Sequence, residues 1–131
     1  MKILALDWGE QRTGLAIGYT ESKLALPFGV IAEAETLELI KKIIKIIKEE
    51  EIELLLVGEP KTMSGGDSKQ TKKVQEFVQN LKQELTIKVE LMDERLTTKR
   101  ASGPSSLPTR SNDELAAMYL LQDYLDRYNL A

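Results

Sequence analysis

The sequence predicts an α/β fold, a mixed five-stranded sheet whose first three strands are antiparallel, with helices on its faces. Three observations predict it. The runs 2–7 and 53–58 are almost wholly apolar and do not alternate, as expected of strands covered on both faces. Residues 12–18 return as a second strand beyond the turn residues Asp7 and Gly9, so the chain opens with a hairpin. From residue 36 onward, helical and extended patterns alternate, which builds parallel strand–helix units.

Taken in order, Leu24-Ala25-Leu26-Pro27 leads into a third strand over 28–31. Pro27 cannot donate to a ladder, so this strand is expected to start there and to lie at an edge. Residues 36–50 form a helix, opened by Glu35 or Thr36, with Leu39, Ile40, Ile43, Ile46 and Ile47 as its apolar stripe. Its lysines read as a solvated face supported by pairs such as Glu38–Lys42. The strand 53–58 stops at Glu59-Pro60, and a loop over 61–66 leads to an N-cap at Asp67 or Ser68. Val74, Phe77, Val78, Leu81 and Leu85 make the stripe of the second helix. Residues 86–92 alternate apolar with polar, the pattern of a half-exposed strand near an edge. Residues 99–110, with Gly103, Pro104 and Pro108, read as an irregular loop. Ser111 and Glu114 form a capping box for the last helix, whose buried stripe is Ala117, Leu120, Leu121, Tyr124, Leu125 and Tyr128. This order of elements is the ribonuclease H-like arrangement, with the first strand central and the fourth beside it.

The composition bounds the chemistry. At 131 residues, with 42% hydrophobic and 30% charged residues, the chain suits one domain with a real core. It holds no cysteine and no histidine. That excludes disulfides, thiolate sites, histidine general bases and His-ligated zinc. Any metal must be held by oxygen, which favours Mg²⁺ or Mn²⁺. A net charge of −3 leaves nucleic-acid binding to a local basic patch. No signal pattern or membrane-spanning run is present, so a cytoplasmic protein is expected.

The acids then stand out by position. Asp7, Glu59 and Glu94 fall just past strand C-termini, the edge of an open α/β sheet where ligands bind. Asp113 lies four residues before Ala117, so the buried stripe of the last helix carries a carboxylate at its start. Converging carboxylates repel one another, and a divalent cation removes that penalty. Two-metal sites hydrolyse phosphodiesters without histidine. Each acid also has a plainer reading. Asp7 can be a turn former, Glu59 an exposed loop acid, and Asp113 a partner of the helix dipole. Of Asp93 and Glu94, at most one faces the site, because neighbours in a strand point opposite ways. The conjunction at one sheet edge favours a metal site.

These residues also resemble a known family. Ile3-Leu4-Ala5-Leu6-Asp7-Trp8-Gly9 with Arg12 and Gly14, then Val57-Gly58-x-Pro60, Asp93-Glu94-Arg95-Leu96-Thr97-Thr98 and Asp113-x-x-Ala116-Ala117 look like the bacterial YqgF (RuvX) family. The resemblance spans nearly the whole chain, and the Asp-Glu-Arg-Leu-Thr-Thr string is its specific part. It implies a ribonuclease H-like, metal-dependent nuclease. The family was first proposed to act on branched DNA as a Holliday junction resolvase, and is associated with 5′-end maturation of pre-16S rRNA. The acids carried over as catalytic are Asp7, Glu94 and Asp113.

The chain departs from the family pattern twice. Glu59 stands where the family usually has an apolar residue. With the fourth strand beside the first, Glu59 is one strand spacing from Asp7 and Glu94 is two, so Glu59 is expected to supplement or replace Glu94 as a ligand. The stretch 99–110 also looks shorter than in the family. Arg12, Arg95, Lys99 and Arg100 are the candidate nucleic-acid contacts, since a guanidinium binds phosphate bidentately; Arg12 or Arg95 neutralising the acids internally is the competing reading. Trp8 reads as core packing. A non-catalytic assembly factor on the same fold and an actin-like ATP-binding hairpin are the rival functions. RNA or DNA as substrate, and monomer or dimer as the active species, are left open.

Overall fold

The computed structural model describes residues 1–60, 64, 66–93 and 112–128. Strands β1 (Lys2–Asp7), β2 (Thr13–Tyr19) and β3 (Leu24–Ile31) run as an antiparallel meander. They are followed by α1 (Thr36–Glu50), β4 (Leu54–Glu59), α2 (Lys69–Glu84), β5 (Lys88–Asp93) and α3 (Asn112–Arg127). The sheet order is β3-β2-β1-β4-β5. β4 lies parallel to β1, and β5 parallel to β4. This is the mixed sheet expected, with β1 at its centre and β4 as neighbour.

Alternation along β1 and β4 divides the core between two faces. Leu4, Leu6, Leu55 and Val57 pack with the stripes of α1 and α2. Ile3, Ala5, Ala16, Leu54 and Leu56 pack instead with Ala117, Leu120, Leu121 and Leu125 of α3. That second face is lined by small residues, which lets α3 lie close. A Cβ on Gly18 would stand 3.0 Å from Leu125 Cδ1 and 2.9 Å from the Leu24 carbonyl oxygen.

The local signals act where expected. Glu35 caps α1, accepting from the amides of Leu37 and Glu38. Ser68 caps α2 through a reciprocal box with Thr71. Trp8 stacks on Phe77, ring centroids 5.5 Å apart, so it is core. The α1 lysines pair differently from the i,i+4 expectation: Glu38 receives Lys41, and Lys42 reaches Glu33. The capping box at Ser111 and the loop 99–110 lie outside the described residues.

β3 corrects one expectation. It starts at Leu24, not at Pro27, and Pro27 sits inside it beside a register shift. The reason is the edge position. Gln122 on α3 accepts from the Ala25 amide (3.0 Å) and donates to the Lys23 carbonyl (2.8 Å). Those two backbone groups therefore face away from β2, and by alternation so does the Pro27 nitrogen. A missing N–H there leaves the ladder intact. Gln122 and Pro27 together blunt an edge strand that is otherwise wholly apolar.

Candidate functional site

Asp7 ends β1 and pairs in register with Gly14 on β2. It shares its parity with Ile3 and Ala5, so its side chain belongs to the face covered by α3. Gly14 is the point of closest approach. An ideal Cβ there would lie 1.9 Å from the Asp113 carbonyl oxygen and 2.8 Å from the Glu114 nitrogen. Only a residue without a side chain lets the first turn of α3 settle at that spot. Asp7 and Asp113 thus flank one glycine, from two elements far apart in the chain.

The Asp113 carboxylate has a definite partner. Arg12 Nε, in the β1–β2 connection, donates to Asp113 Oδ2 at 2.9 Å across 101 residues of sequence. The side chains are 55% and 38% exposed, and a pair so open to water contributes at most about 1 kcal/mol. Its importance is positional, since it puts a guanidinium beside the Asp113 carboxylate.

By register, Glu59 points to the other face of the sheet from Asp7, which the expectation built on strand spacing did not consider. It shares its parity with Leu55 and Val57, on the α1–α2 face. There Gln75 Nε2 of α2 donates to Glu59 Oε2 at 2.9 Å. Counting strand spacings ignored the face: Leu6 is level with Val57, so Gly58, not Glu59, is level with Asp7. Asp93 pairs with Glu59 and has the parity of Val89, again on the α1–α2 face. Glu94, Arg95, Lys99 and Arg100 lie outside the described residues.

Sequence reasoning missed Glu114, read only as a capping residue, which is 8% exposed. A signal was available. Glu114 stands three residues before Ala117 and four before Met118, so it lies near the buried stripe.

The donor set suits a hard divalent ion. Asp7 and Asp113 offer oxygens only, on one face and around one glycine. Among the described residues no three acids gather into a metal-binding group. Mg²⁺ does not require three. It commonly takes one or two carboxylates, completing its shell with water and substrate oxygens.

With this geometry in view, comparison with known proteins is decisive for ancestry. The family model described as RuvX, Holliday junction resolvase, matches residues 1–127. The chain belongs to the RuvX family. RuvX relatives include proteins named "Putative pre-16S rRNA nuclease" from Chloroflexus aurantiacus and Thermoanaerobacter pseudethanolicus. Each is 36% identical to this chain. The first match covers 95% of this chain and 86% of the relative, the second 96% of both. Thermus thermophilus RuvC, solved with a Holliday junction, superposes with a TM-score of 0.65 at 14% identity, covering 95% and 94% of the two chains. The fowlpox virus resolvase, also solved with junction DNA, gives 0.58 at 13% identity over 96% and 97%. At such identities these two establish a shared ribonuclease H-like fold for RuvX and nothing finer.

Proposed function

We propose that this RuvX chain is a single-domain, metal-dependent nuclease that hydrolyses phosphodiester bonds, acting in 5′-end processing of pre-16S rRNA. The observation that carries the reading is the meeting of Asp7 and the first turn of α3 around Gly14. It supports a carboxylate site at the sheet edge where α/β folds bind ligands. The names borne by relatives 36% identical over nearly the whole chain support the substrate.

Asp7 and Asp113 would hold Mg²⁺ or Mn²⁺, with Glu94 as the third acid on the strength of the family motif. When bound, the ion supplies Lewis-acid stabilisation of the charge that builds up on phosphate oxygens. The protein's own task is to fix those carboxylates on rigid elements and to hold the substrate backbone. Arg12, which already pairs with Asp113, would do the latter, with Arg95, Lys99 and Arg100 as further phosphate contacts. No described helix is long and apolar enough to cross a membrane, and the rRNA reading places the activity in the cytoplasm.

The test is cleavage of a 5′-extended 16S precursor and of a four-way DNA junction, side by side, with Mg²⁺ or Mn²⁺. The precursor is expected to be cut, and Asp7→Asn to abolish cutting while the fold survives. Preferential junction cleavage would favour the second reading, branched-DNA resolution, which the family description supports. Salt-sensitive binding with no cleavage of either substrate would leave a non-catalytic assembly factor.

A further inference from the structure

The Arg12–Asp113 pair joins a candidate metal ligand to a candidate phosphate contact, so the pair competes with both roles. While Arg12 Nε holds Asp113 Oδ2 at 2.9 Å, Asp113 has a cation already and Arg12 has an anion already. We infer that Arg12 is the resident counter-cation of Asp113. It holds this carboxylate in the metal-free protein, leaves it when a divalent ion binds, and then takes a phosphate of the nucleic acid. This rests on the carboxylate-site reading above and adds an order of events to it.

A permanent structural tie is the alternative, and two observations weigh against it. The start of α3 is already anchored without Arg12. Gly14 receives the Asp113 backbone, and Leu115, Ala116 and Ala117 are buried directly behind it. The pair is also half exposed on both sides, and such pairs are weak enough to exchange partners. A divalent ion brings twice the charge to the same oxygens. Its arrival makes the neighbouring guanidinium repulsive there, and a phosphodiester is the bidentate partner that suits a guanidinium best. Metal and nucleic acid are therefore coupled through Arg12, and the coupling is reciprocal.

The test uses the full chain. Mn²⁺ affinity is measured by calorimetry for the wild type, Arg12→Gln and Arg12→Lys. Arg12→Gln removes the competitor and is expected to bind Mn²⁺ roughly two- to fivefold more tightly, the range of a partly exposed ion pair. Arg12→Lys restores a cation and is expected to return towards wild type. A second measurement needs no metal. In EDTA, binding of a fluorescent pre-16S RNA fragment is compared for the wild type, Asp113→Asn, Arg12→Gln and the double variant. Asp113→Asn frees Arg12 and is expected to tighten RNA binding severalfold, whereas the double variant loses that gain. A gain surviving in the double variant would reflect charge removal alone and overturn the inference. Unchanged or weakened Mn²⁺ binding in Arg12→Gln would overturn it too, leaving Arg12 as a structural tie. Absence of Mn²⁺ binding in the wild type would defeat both this inference and the metal site. The expected Arg12 effects without cleavage of any substrate would sustain the exchange and defeat the nuclease reading alone.

Discussion

The Asp113 carbonyl oxygen lies 1.9 Å from the place where Gly14 would carry a Cβ. The first turn of α3 therefore rests on the backbone of β2, directly beside the residue that pairs with Asp7. The obstacle is main chain on both sides, so no rotamer change relieves it. Gly14→Ala must push the start of α3 away from the sheet. Overpacking of this kind costs about 1–3 kcal/mol, and urea denaturation should show a loss in that range. Mn²⁺ affinity should fall with it, because Asp113 moves away from Asp7. Wild-type stability in Gly14→Ala would contradict the close approach.

Glu59 provides a control for the site. Its carboxylate accepts from Gln75 on the face opposite Asp7. Glu59→Gln is expected to leave Mn²⁺ affinity within about twofold of wild type, since a carboxylate held on the other face supplies no ligand oxygen to the ion and acts on it only through a partly screened charge. Asp7→Asn should lower it by an order of magnitude or more. Calorimetric titration of the two variants decides between them. A large loss in Glu59→Gln would return that residue to the ligand set.

Thr13 is fully buried, and its hydroxyl has no hydrogen-bond partner among the described residues. A buried, unsatisfied hydroxyl carries an uncompensated desolvation cost of about 1–3 kcal/mol. Thr13→Val keeps the branched shape and removes the hydroxyl. We expect a stabilisation of about 1 kcal/mol and a melting temperature a few degrees higher. Destabilisation by Thr13→Val would mean that the hydroxyl is satisfied.

Tyr124 on α3 ties stability to alkaline pH. Burial, with Glu90 beside it, pushes its phenol up to about 12 from the ordinary value of 10.0. The neutral form is thus favoured in the folded state. Between pH 10 and about 12 the unfolded chain gives up this proton and the folded chain keeps it. Stability must therefore fall as pH rises through that window, with no effect below it. Tyr124→Phe should flatten this part of the profile, read by denaturation at pH 9, 10 and 11. Parallel profiles for the two proteins would show that Tyr124 does not titrate this way.

Much of the fold was legible from local pattern. Continuous apolar runs gave β1 and β4 as buried strands, and the stripe beginning at Leu39 gave α1 its inner face. The error over β3 has a local cause. Pro27 lacks a donor and so reads as the start of a strand, but at an outward-facing edge position no donor is needed. Gln122, far along the chain, satisfies the neighbouring backbone groups.

By itself, the sequence determined that any metal bound here must be held by oxygen, for it contains neither histidine nor cysteine. It determined too which acids stand at element ends, and its motifs determined the family. Only the tertiary structure decided which of those acids meet. Side chains alternate across a strand, so a partner's face depends on register, and register is set by pairing between segments distant in sequence. Leu6 level with Val57 gives Glu59 the opposite parity to Asp7. Gly14 against the Asp113 backbone brings Asp113 towards Asp7, and the same approach places it within reach of Arg12.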